Sequence, residues 1–499
     1  MRLLLAIFFL FSSACCSKIL LVVLTNSKSH LGSMAPFAQA LSKNGHNVTV
    51  YVETLTDLGE LKNGVKKHYV ILPKETINKA WGATFMNIVW NGSFAPEVWK
   101  GAFGIGNTAL LYAMKQESFW QIANQTWDFI VSDEIFTPTG WAMGMIHKER
   151  HGTPHAVFST TAMLHAYTHM LSLNRNPVIA PSYYLSVDDP LSWNMDYFVN
   201  RAISVRHAIV EYSVLRFGER VTRSAIEQMG YSGFSWSNYY HDASMVLIDY
   251  PDRLAWPVPV AHDFVYTGSS CPDSRPLPDD LEEFVSDPTS KGTILVAFGS
   301  HVQWDIAPRR VVLAFLEVLN NMSDYRVIWS YRGSPLDAKS HVKLQEWVPQ
   351  NDLLNHPKTR LFFSHGGLKS VKEAICSETP VLYMPLFCEQ VRSSFIANQL
   401  GFAEYVNKNT VSAQEIYAQM SKVLANDSYR RGVAKVKSLF LDRIMDPLQE
   451  AVFCTEKLIR FGSTQMMKRA GMRLNWFQFL YVDLTVLIFG VTAFLGCTK

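Results

Sequence analysis

The sequence predicts an α/β protein of two doubly wound domains facing each other across a cleft. Three observations carry this: apolar runs with no polar alternation, helix-period segments between them, and one Pro-rich stretch that divides the series in two. Strands covered on both faces need continuous apolar runs, and their alternation with helices marks parallel βαβ units. The 499 residues suffice for two full cores, and 48% apolar against 18% charged residues excludes disorder. A net charge of +3, from 46 basic and 43 acidic residues without a basic block, excludes a nucleic-acid partner.

Taken in order, Met1-Arg2, then "LLLAIFFLF" and "SSACCS", read as a secretory signal peptide, residues 1–17. "KILLVVLT" is the first buried strand, "NSKSHLGS" a loop, residues 34–43 a helix closed by Gly45, and "HNVTVYV" the next strand. "WDFIVSDEIF" and "HAVFST" continue the same sheet, giving an N-terminal domain of residues 18–267. Residues 81–120, rich in Trp, Phe and Met, fit helices lining an apolar pocket and fit ordinary core equally well. "GSSCPDSRPLPDDLEEF" opens the linker, residues 268–290.

The second domain, residues 291–445, runs through "GTILVAFGS", the helix "RRVVLAFLEVLNN", then "YRVIWSY", "LQEWVP", "RLFFS", a helix over 368–376, and "PVLYMPL". Residues 446–475 are C-terminal helices, and 476–497 form a membrane helix. Its uncharged part, 14 residues from Leu484, spans roughly 21 Å. A bilayer core needs about 30 Å, so the span has to reach back to Trp476 and include Asp483. Beyond the signal, Cys271, Cys376, Cys388, Cys454 and Cys497 are too few for a disulfide framework and show no metal-site spacing. N-x-S/T triplets stand at Asn47, Asn91, Asn124, Asn321 and Asn426.

"RLFFSHGGLKSVKEAIC" runs from strand to helix through Ser364-His365-Gly366-Gly367. Ligands of open α/β sheets sit at the carboxyl ends of strands, and a helix N-terminus offers unpaired N–H groups to an anion. Two glycines allow a phosphate to approach the backbone, and His365 adds a donor; a tight structural turn uses the same residues. No G-x-G-x-x-G, Walker A or H-E-x-x-H occurs.

"EWVPQNDLLNHPKTRLFFSHGG" through "PLFCEQ" resembles the sugar-donor signature of the animal UDP-glycosyltransferases, the family that includes the glucuronosyltransferases. The resemblance extends to "FGS" at 298–300, "SH" at 29–30 and "NWFQF" at 475–479. It implies a GT-B fold: two Rossmann-like domains, the donor bound by the C-terminal one and the acceptor by the N-terminal one. It further implies that Trp347 stacks on uracil and Gln350 bonds the base or ribose. Ser300, His365 and Gly367 would meet the diphosphate, with Gly366, Lys369 and Ser370 completing the turn; Glu373 would hold the ribose, and Glu389 and Gln390 the sugar.

His30 would be the general base for an inverting transfer, oriented by Asp133, with Glu134 a competitor for that role. The same resemblance implies a UDP-sugar co-substrate with no bound cofactor and no metal, and a small lipophilic acceptor. It also implies a single-pass endoplasmic reticulum membrane protein with a lumenal body; a homo-oligomer stays open.

Four residues depart from the family pattern. Lys369 replaces Asn, and it holds the diphosphate as a point charge, pairs with Glu373 at i,i+4, or is an exposed lysine tolerated by drift. Glu389 replaces Asp, Glu378 replaces Gly at a helix end, and Asp252 stands where relatives often carry Arg. Together they lean toward glucose over glucuronic acid as the transferred hexose. They also keep a second reading in play, a weakly active or inactive member that binds ligands in the lumen.

Overall fold

The computed structural model describes residues 16–24, 28–59, 61–75, 82–92, 94–160, 163–173, 176–177, 184, 194–254, 258–300, 302–462 and 468–497. The expected signal peptide falls outside them but for Cys16 and Ser17.

The first sheet contains β1 (Lys18–Leu24), β2 (Asn47–Thr54), β3 (Lys66–Ile71), β4 (Phe129–Asp133), β5 (His155–Ser159), β6 (Met245–Ile248) and β7 (Phe264–Tyr266). They pair in parallel in the order β3-β2-β1-β4-β5-β6-β7. The second contains β8 (Thr293–Ala297), β9 (Arg326–Ser330), β10 (Val342–Gln345), β11 (Thr359–Ser364), β12 (Val381–Tyr383) and β13 (Ala403–Tyr405), also parallel, in the order β10-β9-β8-β11-β12-β13. The order reverses between β1 and β4 in one sheet and between β8 and β11 in the other. At such a switch point the flanking connections leave in opposite directions and open a crevice at the strand ends. His30 follows β1 and Asp133 ends β4; Ser300 follows β8 and His365 follows β11.

Helix α1 (Lys28–Lys43) starts at Lys28, not at residue 34, so His30 lies in a first helical turn and not in a loop. Leu31, Met34, Ala38 and Leu41 form its buried face, and Gly32 and Ser33, weak helix formers, hide the start of the pattern. The aromatic region divides between two cores. α2 (Gly82–Asn91) buries Phe85, Met86, Val89 and Trp90 in the core of the second domain, while α3 (Trp99–Ala113) buries Trp99, Phe103 and Leu110 in the first. The strand expected through "LQEWVP" ends at Gln345, leaving Trp347 in a loop.

The linker is not a free tether. It carries a helix, Asp279–Val285, whose Leu281 and Val285 join the second core, and Cys271 forms a disulfide with Cys376 at the end of α4 (Leu368–Cys376), Cα–Cα 5.6 Å. The cysteine spacing gives no hint of this pairing, because its partners lie 105 residues apart. After β13 and α5 (Gln390–Gln399 precedes that strand), the chain returns to the first domain as α6 (Pro447–Phe461). Asp446 caps α6 by accepting from the Leu448 and Gln449 amides. Ala451, Val452 and Leu458 pack with the α1 core, and His46 meets Glu456 at 3.2 Å. Further on, Arg469 grips both carboxylate oxygens of Asp263.

The expected membrane helix is broken. α7 (Trp476–Phe479) and α8 (Val482–Cys497) meet at Tyr481, which adopts a left-handed φ of 57°. Asp483 accounts for the break: its carboxylate accepts from the Leu484 amide and suits a new helix N-terminus, not a helix interior. Among the described residues no helix is long and apolar enough to cross a membrane; α8 has 16 residues.

Candidate active site

A cavity of about 580 Å³ lies where the two sets of strand ends face each other. Of the site residues expected from sequence, all line it except Asp133 and Gly366. Asp133 is fully buried one step behind the wall, against His30.

His30 Nδ1 donates to Asp133 Oδ2 at 2.6 Å, so Nε2 is the ring nitrogen left for the cavity, and the side chain is 15% exposed. Asp133 is itself fixed, Oδ1 accepting from the Ile135 amide at 3.2 Å. Thr160, which sequence reasoning missed, brings its hydroxyl to 2.9 Å from His30 Nδ1 and 3.4 Å from Asp133 Oδ1. Its only signal is its place just after β5, at a strand end of the same crevice. Burial lowers the His30 pKa, but the Asp133 charge and hydrogen bond outweigh it, helped by Glu389 and Glu134, and the net shift is upward. Glu134 is not the orienting carboxylate. It accepts from Ser159 Oγ at 2.5 Å and from the Leu164 amide at 2.8 Å, and burial pushes it up to about 7.

Across the cavity, the glycines of the donor turn have separate reasons. Gly366 has φ of 87°, a left-handed conformation that a side chain disfavours. Gly367 makes room for the His365 ring: a Cβ there would lie 2.6 Å from Nε2. Gly367 is also the N-cap of α4, and with no side chain it leaves the first-turn amides without a side-chain cap. Trp347 is 63% exposed, which removes the core role a tryptophan usually has. Gln350 donates to Glu373 Oε2 at 2.5 Å and to Ser370 Oγ at 3.0 Å, tying three expected donor residues together. Gln390 Oε1 accepts from the Leu386 and Phe387 amides, so this side chain shapes the turn that carries Glu389.

Of the four departures, Glu389 lines the cavity and the other three resolve differently. Lys369 extends over the cleft to α1: its Nζ lies 2.6 Å from where a Cβ on Gly32 would sit. Glu373 is raised by burial and feels Lys369 through its charge alone, so the i,i+4 pair is not formed and Glu373 bonds Gln350. Glu378 occupies a left-handed position, φ 54°, where Gly is favoured, and Lys437 bonds it at 2.9 Å. Asp252 does not reach the cavity. It pairs with Arg443 and accepts from Ser269, so it has no bearing on the charge of a bound sugar.

Two Rossmann-like domains with a cavity between facing strand ends define the GT-B class of glycosyltransferases. The profile of the UDP-glucoronosyl and UDP-glucosyl transferase family matches residues 18–498, so the chain belongs to that family: it is a glycosyltransferase with a UDP-sugar as co-substrate. It is 31% identical over 348 residues to a UDP-glucuronosyltransferase of Pleuronectes platessa, covering 66% of this chain and 72% of that protein. It is 26% identical over 470 residues to UDP-glucuronosyltransferase 1A6 of Homo sapiens, covering 93% and 87%. Among solved structures, the glycotransferase of kitacinnamycin superposes with a TM-score of 0.59 at 15% identity, over 89% of this chain and 99% of that one, a likeness of fold.

Proposed function

We propose that the protein transfers a hexose from a UDP-sugar to the hydroxyl of a small lipophilic acceptor, inverting the anomeric carbon, with His30 as general base. The observation that carries this is the His30–Asp133 pair on one wall of a cavity whose opposite wall is the uncapped N-terminus of α4. His30 Nε2 takes the acceptor proton as the oxygen bonds the anomeric carbon from the face opposite UDP. The bond from that carbon to the phosphate oxygen breaks, and UDP leaves with the electron pair. Asp133 holds the ring and stabilises its protonated form. The α4 amides, His365 and Lys369 meet the charge growing on the diphosphate. Trp347 stacks on uracil, Gln350 and Glu373 hold the ribose, Ser300 meets a phosphate, and Glu389 and Gln390 hold the sugar.

With Asp252 outside the cavity, the lean toward glucose rests on Glu389, which carries the same charge as the Asp it replaces but one more methylene where the sugar binds; glucuronic acid is the competing hexose. The protein is membrane-attached on this reading, since α8 turns Leu487, Ile488 and Phe489 outward, and its body is lumenal in the endoplasmic reticulum. Purified protein given UDP-glucose, UDP-glucuronate and UDP-N-acetylglucosamine with mixed phenols, read by mass, tests the assignment. A folded protein that turns over none of them is the ligand-binding protein of the second reading.

Lys369→Asn is expected to weaken UDP binding about 3–10-fold by calorimetry, the difference shrinking as salt rises. Tighter binding would show that the lysine opposes the diphosphate.

A further inference from the structure

Six aromatic rings run along one side of the cavity and end at the base. Phe85 meets Phe387 at 5.4 Å, Phe387 meets Phe94 at 5.8 Å, Phe94 meets Trp99 at 5.6 Å, Trp99 meets Phe136 at 6.0 Å, and Phe136 meets His30 at 5.4 Å. All six line the cavity.

The far end of this run is held unusually. Phe85 belongs to α2, which follows β3 of the first domain in sequence yet is buried in the core of the second. Trp90 donates from Nε1 to the Gln303 carbonyl at 3.0 Å and packs on Trp304 at 5.3 Å. Lys408, after β13, is 1% exposed, and its ammonium donates to three carbonyls: Val89 at 2.5 Å, Gly92 at 3.0 Å and Leu386 at 2.9 Å. The first two close the C-terminal end of α2, where carbonyls lack helical partners and the helix dipole favours a cation. The third immediately precedes Phe387. One buried charge therefore fixes both rings at the end of the run, Phe85 through its helix and Phe387 through its backbone. A buried ammonium persists only where its donors are satisfied, so losing any of the three bonds is costly.

We propose that α2, seated in the donor domain and pinned by Lys408, is the wall that selects planar aromatic hydroxyl compounds, with Lys408 a positioning residue for acceptor choice. Flat rings that meet edge to face or tilted, at 44° to 88°, line one side of the cavity and reward a flat guest through ring–ring geometry beyond area burial. A flexible alkyl alcohol gains burial alone. The inference rests on the transfer reading for what the bound compound undergoes, but its binding contrast can be measured without turnover.

The test compares 1-naphthol with octan-1-ol, binding read by calorimetry on full-length protein with UDP present, and transfer read by mass. The parent is expected to bind 1-naphthol about tenfold tighter than octan-1-ol. Lys408→Met, which keeps stem length and removes the charge, should weaken 1-naphthol about tenfold while leaving octan-1-ol and UDP within about twofold. Phe85→Leu keeps Lys408 and its bonds, so it serves if Lys408→Met fails to fold, and should show the same selective loss. Parent binding without the aromatic contrast overturns the proposal, as does a folded variant that weakens both compounds alike or neither. Selective binding with no product from any UDP-sugar would instead sink the transfer reading and leave the wall standing.

Discussion

His30→Ala is expected to lower turnover at least about 100-fold while UDP affinity stays within about twofold of the parent. The separation follows from where the groups sit: His30 is on α1 of the first domain, and the residues assigned to UDP are on the second. Unchanged turnover would remove the dyad from the mechanism. Asp133→Asn should also be slow, because an amide holds the ring without stabilising its charge. A pH profile adds a second check with a definite sign. The base must be neutral to accept a proton, and the net shift of His30 is upward from 6.5, so kcat/KM should rise with pH through an apparent pKa above 6.5. Glu389 is one of the charges that raise it, so Glu389→Gln should move that limb to lower pH. The stability linkage runs the other way. The contribution of protonated His30 is fully present below 6.5 and is lost as pH rises through the folded value.

The second large effect is on stability. Replacing Cys271 and Cys376 by serine opens a bond between residues 105 apart, and is expected to cost about 2–5 kcal/mol. Each single replacement should lower Tm as much as the double, because all three remove the same bond. The bond also ties the linker to the end of α4, so UDP should bind the oxidised parent more tightly than the double variant. An unchanged Tm in the double variant would mean that packing of Leu281 and Val285 alone holds the linker in place.

The sheets were legible because strands covered on both faces must be apolar throughout, and "KILLVVL", "TILVA" and "TRLFFS" are nearly so. The placement of His30, Asp133, Ser300 and His365 at strand ends was legible for a related reason: chain order gives the strand ends, and switch points put crevices there. The start of α1 was hidden by Gly32 and Ser33. The destination of α2 was not legible at all, since an apolar helix face states that it will be buried and not which core will bury it. Trp347 and Asp252 turn on the same distinction: residue type sets a preference for burial or charge pairing, and three-dimensional neighbours decide it. Thr160 carries no motif, and only the convergence of β4 and β5 brings its hydroxyl to the dyad.

The return of α6 to the first domain means that the two lobes are joined by more than the linker, since the chain also crosses between them on either side of α2 and again ahead of Pro447. Several tethers act like a door hung on more than one pin: it swings about one axis and resists swivelling. Each opening of the mouth would then bring the proton acceptor back into alignment with the same spot on the opposite lip. A protein cut short before Pro447 would keep both lobes but lose one of these pins, and its losses should appear as mistimed alignment ahead of any loss of nucleotide grip.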